Sequence, residues 1–235
     1  MPLNDVNVVL VHGAWADGSS WEKIIAPLAA DGFKVVAAPL PLTSFADDVA
    51  ALDRALARLK GPVVLVGHAY AGAVIGATRS EKVRALVYVA ALAPDEGETV
   101  ADVFYRTEPH PRAPKLAPDE YGLIYLPADA FAAAFAQHAS AAELAALAAA
   151  QKPISPACIT VAMDRPLWKD LPSWFLVAGE DRMIDPKTQN FMAMRMKARM
   201  FCLPVDHTPI VTAPDAVLDV IYDAAKVVRG EHVVS

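Results

Sequence analysis

Residues 62–77, PVVLVGHAYAGAVIGA, hold the most informative reactive pattern in the chain. A buried, β-branched run ends in Gly67-His68-Ala69-Tyr70-Ala71-Gly72 and passes straight into a helical pattern. A G-x-S-x-G turn of this kind lifts its central side chain above a sheet in a strained backbone conformation, and small neighbours let strand and helix approach. Gly67, with Ala71 or Gly72, meets that need, but position 69 holds alanine. Alanine cannot attack a carbonyl, and Tyr70 points the wrong way to take over the role. In subtilisin, loss of the serine alone costs roughly 2 × 10⁶ in turnover, so covalent catalysis at ordinary rates is not expected at this turn.

The elements that must position this turn are read from pattern. Val6 to Val11, Lys34 to Ala38, Val63 to Gly67 and Val83 to Ala90 are short apolar runs bounded by turn residues, the signature of buried strands. Ser19 or Ser20 is expected to cap a helix through Ala30, and Thr43 or Ser44 one over FADDVAALDRALARLK, whose first turn is acidic. Strand and helix therefore alternate, which implies a parallel sheet covered on both faces. From Pro94 to about Leu171 the alternation stops, and an Ala-rich helical hairpin is expected near Ala128 to Ala150. Alternation resumes with SWFLVAGED at 173–181, a helix to about Lys197, a strand from Arg199 to Pro204 and a closing helix from Pro214 to Val228. The expected organisation is a sheet core of residues 1–94 and 171–235 with a cap inserted at 95–170.

The motifs VLVHGAWADGSSW, APLPLTSFADDV, the turn at 67–72, LVYVAALAPDEGE, GEDRMIDPKTQNFMAMRM and VDHTPIVTAPDAV span nearly the whole chain. Together they resemble bacterial α/β-hydrolases of a small-esterase group that is also similar to plant methylesterases and hydroxynitrile lyases. The resemblance implies an α/β-hydrolase fold: a mainly parallel sheet with helices on both faces and an inserted helical cap. It also implies a chain order of nucleophile, acid, histidine, which positions 69, 181 and 207 obey. His207 is then the general base and Asp181 the carboxylate that orients it. The oxyanion hole maps to the backbone N–H groups of Tyr70 and Ala14, which need no particular side chain. A pocket between turn and cap would be lined by His12, Trp15, Tyr70, Phe104, Tyr125 and Trp168. His12 also reads as a structural residue of its His-Gly turn, and His68 as packing behind the turn at 67–72. Asp206 is expected to point away from His207, Asp185 is a fallback acid, and Met192, Met194, Met196 and Met200 read as packing.

Composition narrows the function classes. The chain is 55% hydrophobic and 20% charged with net charge −6, and it has no Lys/Arg run able to neutralise several phosphates, so nucleic acid is not an expected partner. No apolar twenty-mer and no export-signal pattern is present, so no membrane partner and a cytoplasmic location are expected. Cys158 and Cys202 lack the spacing of a disulfide framework, zinc site or redox pair, and no phosphate loop or dinucleotide fingerprint occurs, so neither cofactor nor metal is expected. The expected partner is a small, mostly apolar molecule with one carbonyl or hydroxyl; a homodimer is left open. Three readings of Ala69 follow: an engineered replacement in an esterase or lactonase, a lyase- or oxygenase-type enzyme relying on His207 and Asp181, or a binding or sensing protein without turnover.

Overall fold

The computed structural model describes residues 6–230. Six strands, β1 (Asn7–Val11), β2 (Lys34–Ala38), β3 (Val63–His68), β4 (Val83–Val89), β5 (Ser173–Ala178) and β6 (Arg199–Leu203), form one sheet in the order β2-β1-β3-β4-β5-β6. Every pairing is parallel. The four inner strands are buried along nearly their whole length, as expected of strands covered on both faces, whereas the edges β2 and β6 are only partly buried.

The helices are α1 (Glu22–Ala30), α2 (Phe45–Ala57), α3 (Ala71–Ala77), α4 (Val100–Phe104), α5 (Ala128–Ala130), α6 (Ala141–Ala150), α7 (Pro186–Arg195), α8 (Pro209–Thr212) and α9 (Pro214–Val228). After β1 and α1 the chain runs outward to β2, then doubles back through α2 to β3 on the other side of β1. Right-handed crossovers in opposite directions place α1 and α2 on opposite faces: α1 packs with α9, and α2 with α3. The reversal also opens a crevice beyond the carboxyl ends of β1 and β3, where open α/β sheets bind their ligands.

Local chemistry explains most boundaries. Ser44 caps α2 by accepting from the Asp47 N–H (3.1 Å), and Pro186 and Pro214 open α7 and α9, where a missing N–H costs nothing. The start of α1 differs from expectation. Neither Ser19 nor Ser20 caps it: both lie in a 3₁₀ turn at Gly18–Trp21 that is capped by Asp17, whose carboxylate accepts from the Ser19 N–H and hydroxyl, and α1 follows from Trp21 without a side-chain cap.

Between β4 and β5 the chain makes no strand of the sheet. The Ala-rich stretch forms two helical arms, as its composition suggests, but the first is short: α5 widens into a π-turn at Phe131–Phe135, closed by the Ala136 N–H on the Phe131 carbonyl (2.8 Å). The second, α6, starts at a reciprocal Ser140–Glu143 capping box.

Candidate active site

Ala69 sits at the carboxyl end of β3 with φ 51°, a conformation rare for a residue with a Cβ. Its surroundings are built to permit it. A Cβ on Gly67 would lie 2.9 Å from the Ala71 carbonyl oxygen, and one on Gly72 would lie 2.4 Å from the Leu92 oxygen. A Cβ on Gly13, after β1, would come within 3.0 Å of the Ala69 Cβ, so glycine there lets the first loop approach the turn. The Ala69 carbonyl accepts from Gly72 N–H (3.1 Å) and Leu92 N–H (3.0 Å), which tightens the bend. Gly72→Ala is therefore expected to lower stability by about 1–3 kcal/mol, the range for overpacking, read as a lower denaturant midpoint; an unchanged midpoint would mean the turn yields freely.

His207 follows β6 and Asp181 follows β5, and the structure brings them together. His207 Nδ1 lies 2.8 Å from Asp181 Oδ2, and both side chains are buried. Asp181 is held on every side: Oδ1 accepts from the Met183 and Ile184 N–H groups (2.7 and 2.8 Å), and Oδ2 accepts from Gln189 Nε2 (2.8 Å). Gln189 is itself fixed, since its Oε1 accepts from the Ala178 N–H (2.9 Å). With Nδ1 donating to the carboxylate, Nε2 is the free acceptor of the ring and bonds to no group among the described residues. Phe135 packs against the imidazole at 5.3 Å between ring centroids.

The neighbouring carboxylates serve other ends. Asp206 is buried facing away, where it accepts from the Thr208 and His138 N–H groups and the Thr212 hydroxyl. Asp185 caps α7 through the Lys187 N–H. Of the methionines, Met192 is fully buried, with its sulfur 3.1 Å from the Ala93 nitrogen, whereas Met194 is exposed.

His68 packs behind the turn and under His207, its Nε2 donating to the His207 carbonyl (2.7 Å) while Nδ1 is buried without a partner. Burial and the nearby His207 push its pKa down to about 3. Below pH 6.5 the unfolded chain takes a proton at this residue that the folded chain refuses until about pH 3, so stability falls through that window by up to about 1.4 kcal/mol per pH unit. Thermal melts at pH 7 and pH 5 should show that loss, and His68→Gln, which keeps a donor for the His207 carbonyl, should flatten it; an unchanged slope places the acid sensitivity elsewhere.

A cavity of ≈ 70 Å³ opens over these residues, lined by Ala14, Trp15, Ala69, Tyr70, Phe104 and His207 together with apolar side chains of the segment between β4 and β5. Apart from His207 its walls are almost wholly apolar. Neither the Ala14 nor the Tyr70 N–H donates to any group among the described residues, although both residues are buried. Trp15 links the first loop to the inserted segment: its indole N–H donates to the Ile124 carbonyl (2.9 Å) and its backbone N–H to the Lys152 carbonyl (3.0 Å).

Three expected pocket residues lie elsewhere. His12 spends both ring nitrogens on the backbone, Nδ1 at the Gly13 carbonyl and Nε2 at the Leu40 N–H, and burial lowers its pKa. Tyr125 faces solvent because the backbone is extended there, so Ile124 and Leu126 turn inward and Tyr125 outward. Trp168 is buried against α3, its N–H on the Pro94 carbonyl (3.3 Å), outside the cavity wall. The side chains that line the wall instead, Ile124, Ile154, Ile159 and Met183 among them, carry no chemical signature that could single them out. Among the described residues no cluster of His, Cys, Asp and Glu could hold a metal ion, and no helix is long and apolar enough to cross a membrane.

A model of the alpha/beta hydrolase family matches residues 8–220, and the chain belongs to that family. The solved structures it is similar to include polyneuridine aldehyde esterase, with TM-score 0.77 and 19% identity over 94% of this chain and 99% of that one. A pyrethroid hydrolase from Sphingobium faniae superposes with TM-score 0.79 and 20% identity, covering 94% and 98%. A methylesterase from Arabidopsis does so with TM-score 0.77 and 16% identity, covering 94% and 99%. No curated protein sequence matches significantly. At such identities the likeness establishes the fold.

Proposed function

We propose that this protein is a cofactor-free enzyme of the alpha/beta hydrolase family in which His207, oriented by Asp181, acts as a general base on a small, mostly apolar carbonyl or hydroxyl compound. Ala69 stands where the family's esterases carry the attacking serine, so no acyl-enzyme forms. The observation that carries this reading is the pair itself: a buried, fully hydrogen-bonded Asp181–His207 unit whose free Nε2 belongs to a ring lining an apolar cavity. The carboxylate held by three donors behind that ring fixes the imidazole in one tautomer, which a general base requires.

In the proposed reaction an O–H or C–H bond of the substrate, or of a bound water, breaks. The proton passes to His207 Nε2 and the electron pair stays on the oxygen or carbon that loses it. A carbonyl oxygen that gains charge is met by the N–H groups of Ala14 and Tyr70, and the imidazolium by the Asp181 carboxylate. The names of the structural neighbours, an aldehyde esterase, a pyrethroid hydrolase and a methylesterase, support an ancestry in ester and carbonyl chemistry. The segment at 95–170 acts as the cap, and the absence of charged side chains from the cavity wall favours neutral substrates.

The test is a panel of small neutral esters, ketones, aldehydes and cyanohydrins followed by NMR with the chain and with His207→Ala. At least one compound should be consumed, and the variant should slow that consumption by about 10²–10⁴, the range for a general base. Compounds that bind both proteins and are consumed by neither would show a binding protein and overturn the proposal.

A further inference from the structure

We infer that Asp48 is a positioning residue which, by holding the tyrosine hydroxyl, completes the restraint on the direction of the Tyr70 N–H that the hydrogen bonds to the Ala69 carbonyl begin. The inference rests on the role proposed above for that N–H.

Asp48 lies in the first turn of α2, yet it is fully buried. Its Oδ1 accepts from the Leu42 N–H (2.7 Å), and its Oδ2 accepts from the Tyr70 hydroxyl (2.7 Å) and lies 3.6 Å from the Cys158 sulfur. All three donors are neutral, and no ion pair reaches this carboxylate among the described residues. A buried carboxylate without a cation is costly, and burial accordingly raises its pKa. The three donors come from three walls of the site. Leu42 belongs to the loop after β2, holds a positive φ of 60° and offers its carbonyl to the Ser155 N–H (3.0 Å); Tyr70 belongs to the turn after β3; Cys158 belongs to the inserted segment.

Tyr70 follows the strained Ala69, and the peptide joining them carries the N–H in question. No hydrogen bond from that N–H fixes its direction among the described residues. The same rigid peptide is held at its oxygen, where the Ala69 carbonyl accepts from the Gly72 and Leu92 N–H groups (3.1 and 3.0 Å), and on the Tyr70 side it is held through the side chain: the ring is buried, and its hydroxyl, driven away from ionisation by burial and by Asp48, is a permanent donor. Anchoring the ring at its far end restrains φ of Tyr70 and so adds a second hold on a peptide plane that the two bonds to the Ala69 carbonyl already restrain. Removing an oxyanion donor costs about 10²–10³ in kcat, and releasing one from its orientation costs a fraction of that.

Tyr70→Phe breaks the anchor while keeping the ring, and Asp48→Ala breaks it from the other end. Asp48→Asn restores it, since the amide oxygen takes the Leu42 N–H while the amide NH₂ donates to the tyrosine oxygen. Two readouts are needed. In ¹⁵N-labelled protein, the amide resonance of residue 70 should be single in the unaltered chain and in Asp48→Asn, and should broaden or split in Tyr70→Phe and Asp48→Ala; a sharp, single resonance in Tyr70→Phe overturns the inference. In an Ala69→Ser background assayed with p-nitrophenyl acetate well below the melting temperature, Tyr70→Phe should lower kcat by about 10-fold or more with KM nearly unchanged, and Asp48→Asn should keep kcat. A loss of stability with kcat intact would make Asp48 a core polar group only and would also overturn it. An inactive Ala69→Ser protein would instead sink the assignment of position 69, leaving the amide resonance to decide the role of Asp48.

Discussion

Ala69→Ser is expected to turn this chain into an esterase, raising kcat toward p-nitrophenyl esters by roughly 10³-fold or more against a ceiling near 2 × 10⁶, the cost of losing such a serine elsewhere. In the reading proposed above, the other groups that reaction needs surround this turn. The backbone at position 69 already holds the positive φ of a raised nucleophile, so the hydroxyl would be added without reshaping the turn. His207 lines the same cavity with its Nε2 unengaged, and the N–H groups of Ala14 and Tyr70 donate to no group among the described residues. Initial rates of both proteins on a short ester series measure the gain. Equal rates would mean that the turn does not carry the chemistry.

Asp181→Asn in that background is expected to lower kcat by about 10⁴, the loss seen when such a carboxylate becomes an amide elsewhere. The reason lies in the fixed donors around it. The Met183 and Ile184 N–H groups demand an acceptor at the Oδ1 position, so the asparagine oxygen must sit there and its NH₂ must take the Oδ2 position. That NH₂ faces Gln189 Nε2, which cannot turn because Oε1 is committed to the Ala178 N–H. It also faces His207 Nδ1, which must now accept. The ring is driven to the tautomer protonated at Nε2, and a protonated Nε2 cannot serve as a base. The two opposed donors should also cost about 1–3 kcal/mol of stability, so rates and denaturation midpoints are to be measured together. Full activity in the asparagine variant would show that Asp181 does not set the tautomer.

The parts of the fold legible in the sequence are those set by local pattern. The runs NVVLV, VVLVGH and SWFLVA are buried on both faces and read as strands whatever their neighbours. Pro214 and the apolar period after it mark α9 over Pro214–Val228. The strained turn at Ala69 is likewise visible in Gly67 and Gly72, whose missing side chains make room for backbone. What could not be read depends on where a helix face or an irregular segment comes to rest. Asp48 looks like one of several acids favouring a helix N-terminus, and only the packing of α2 on α3 shows that it is buried under Tyr70. Gln189 is an ordinary helix residue until α7 docks on β5. The resemblance implies Tyr125 and Trp168 in the pocket, but their segment has too little regular structure for a period to say which side chains face inward. Trp168 is buried, but away from the cavity, with its N–H on the Pro94 carbonyl.

In the proposed reaction, position 69 lies within reach of His207 and of a bound carbonyl, with the attacking hydroxyl missing. Intact-mass spectrometry after incubation with a p-nitrophenyl ester tests it most directly, comparing the chain, Ala69→Ser, and Ala69→Ser with His207→Ala. An acyl adduct mapped to residue 69 is expected in Ala69→Ser, sharply reduced when His207 is also removed, and none at any residue of the unaltered chain. An adduct on the unaltered chain, or none when serine is present and His207 intact, would contradict it.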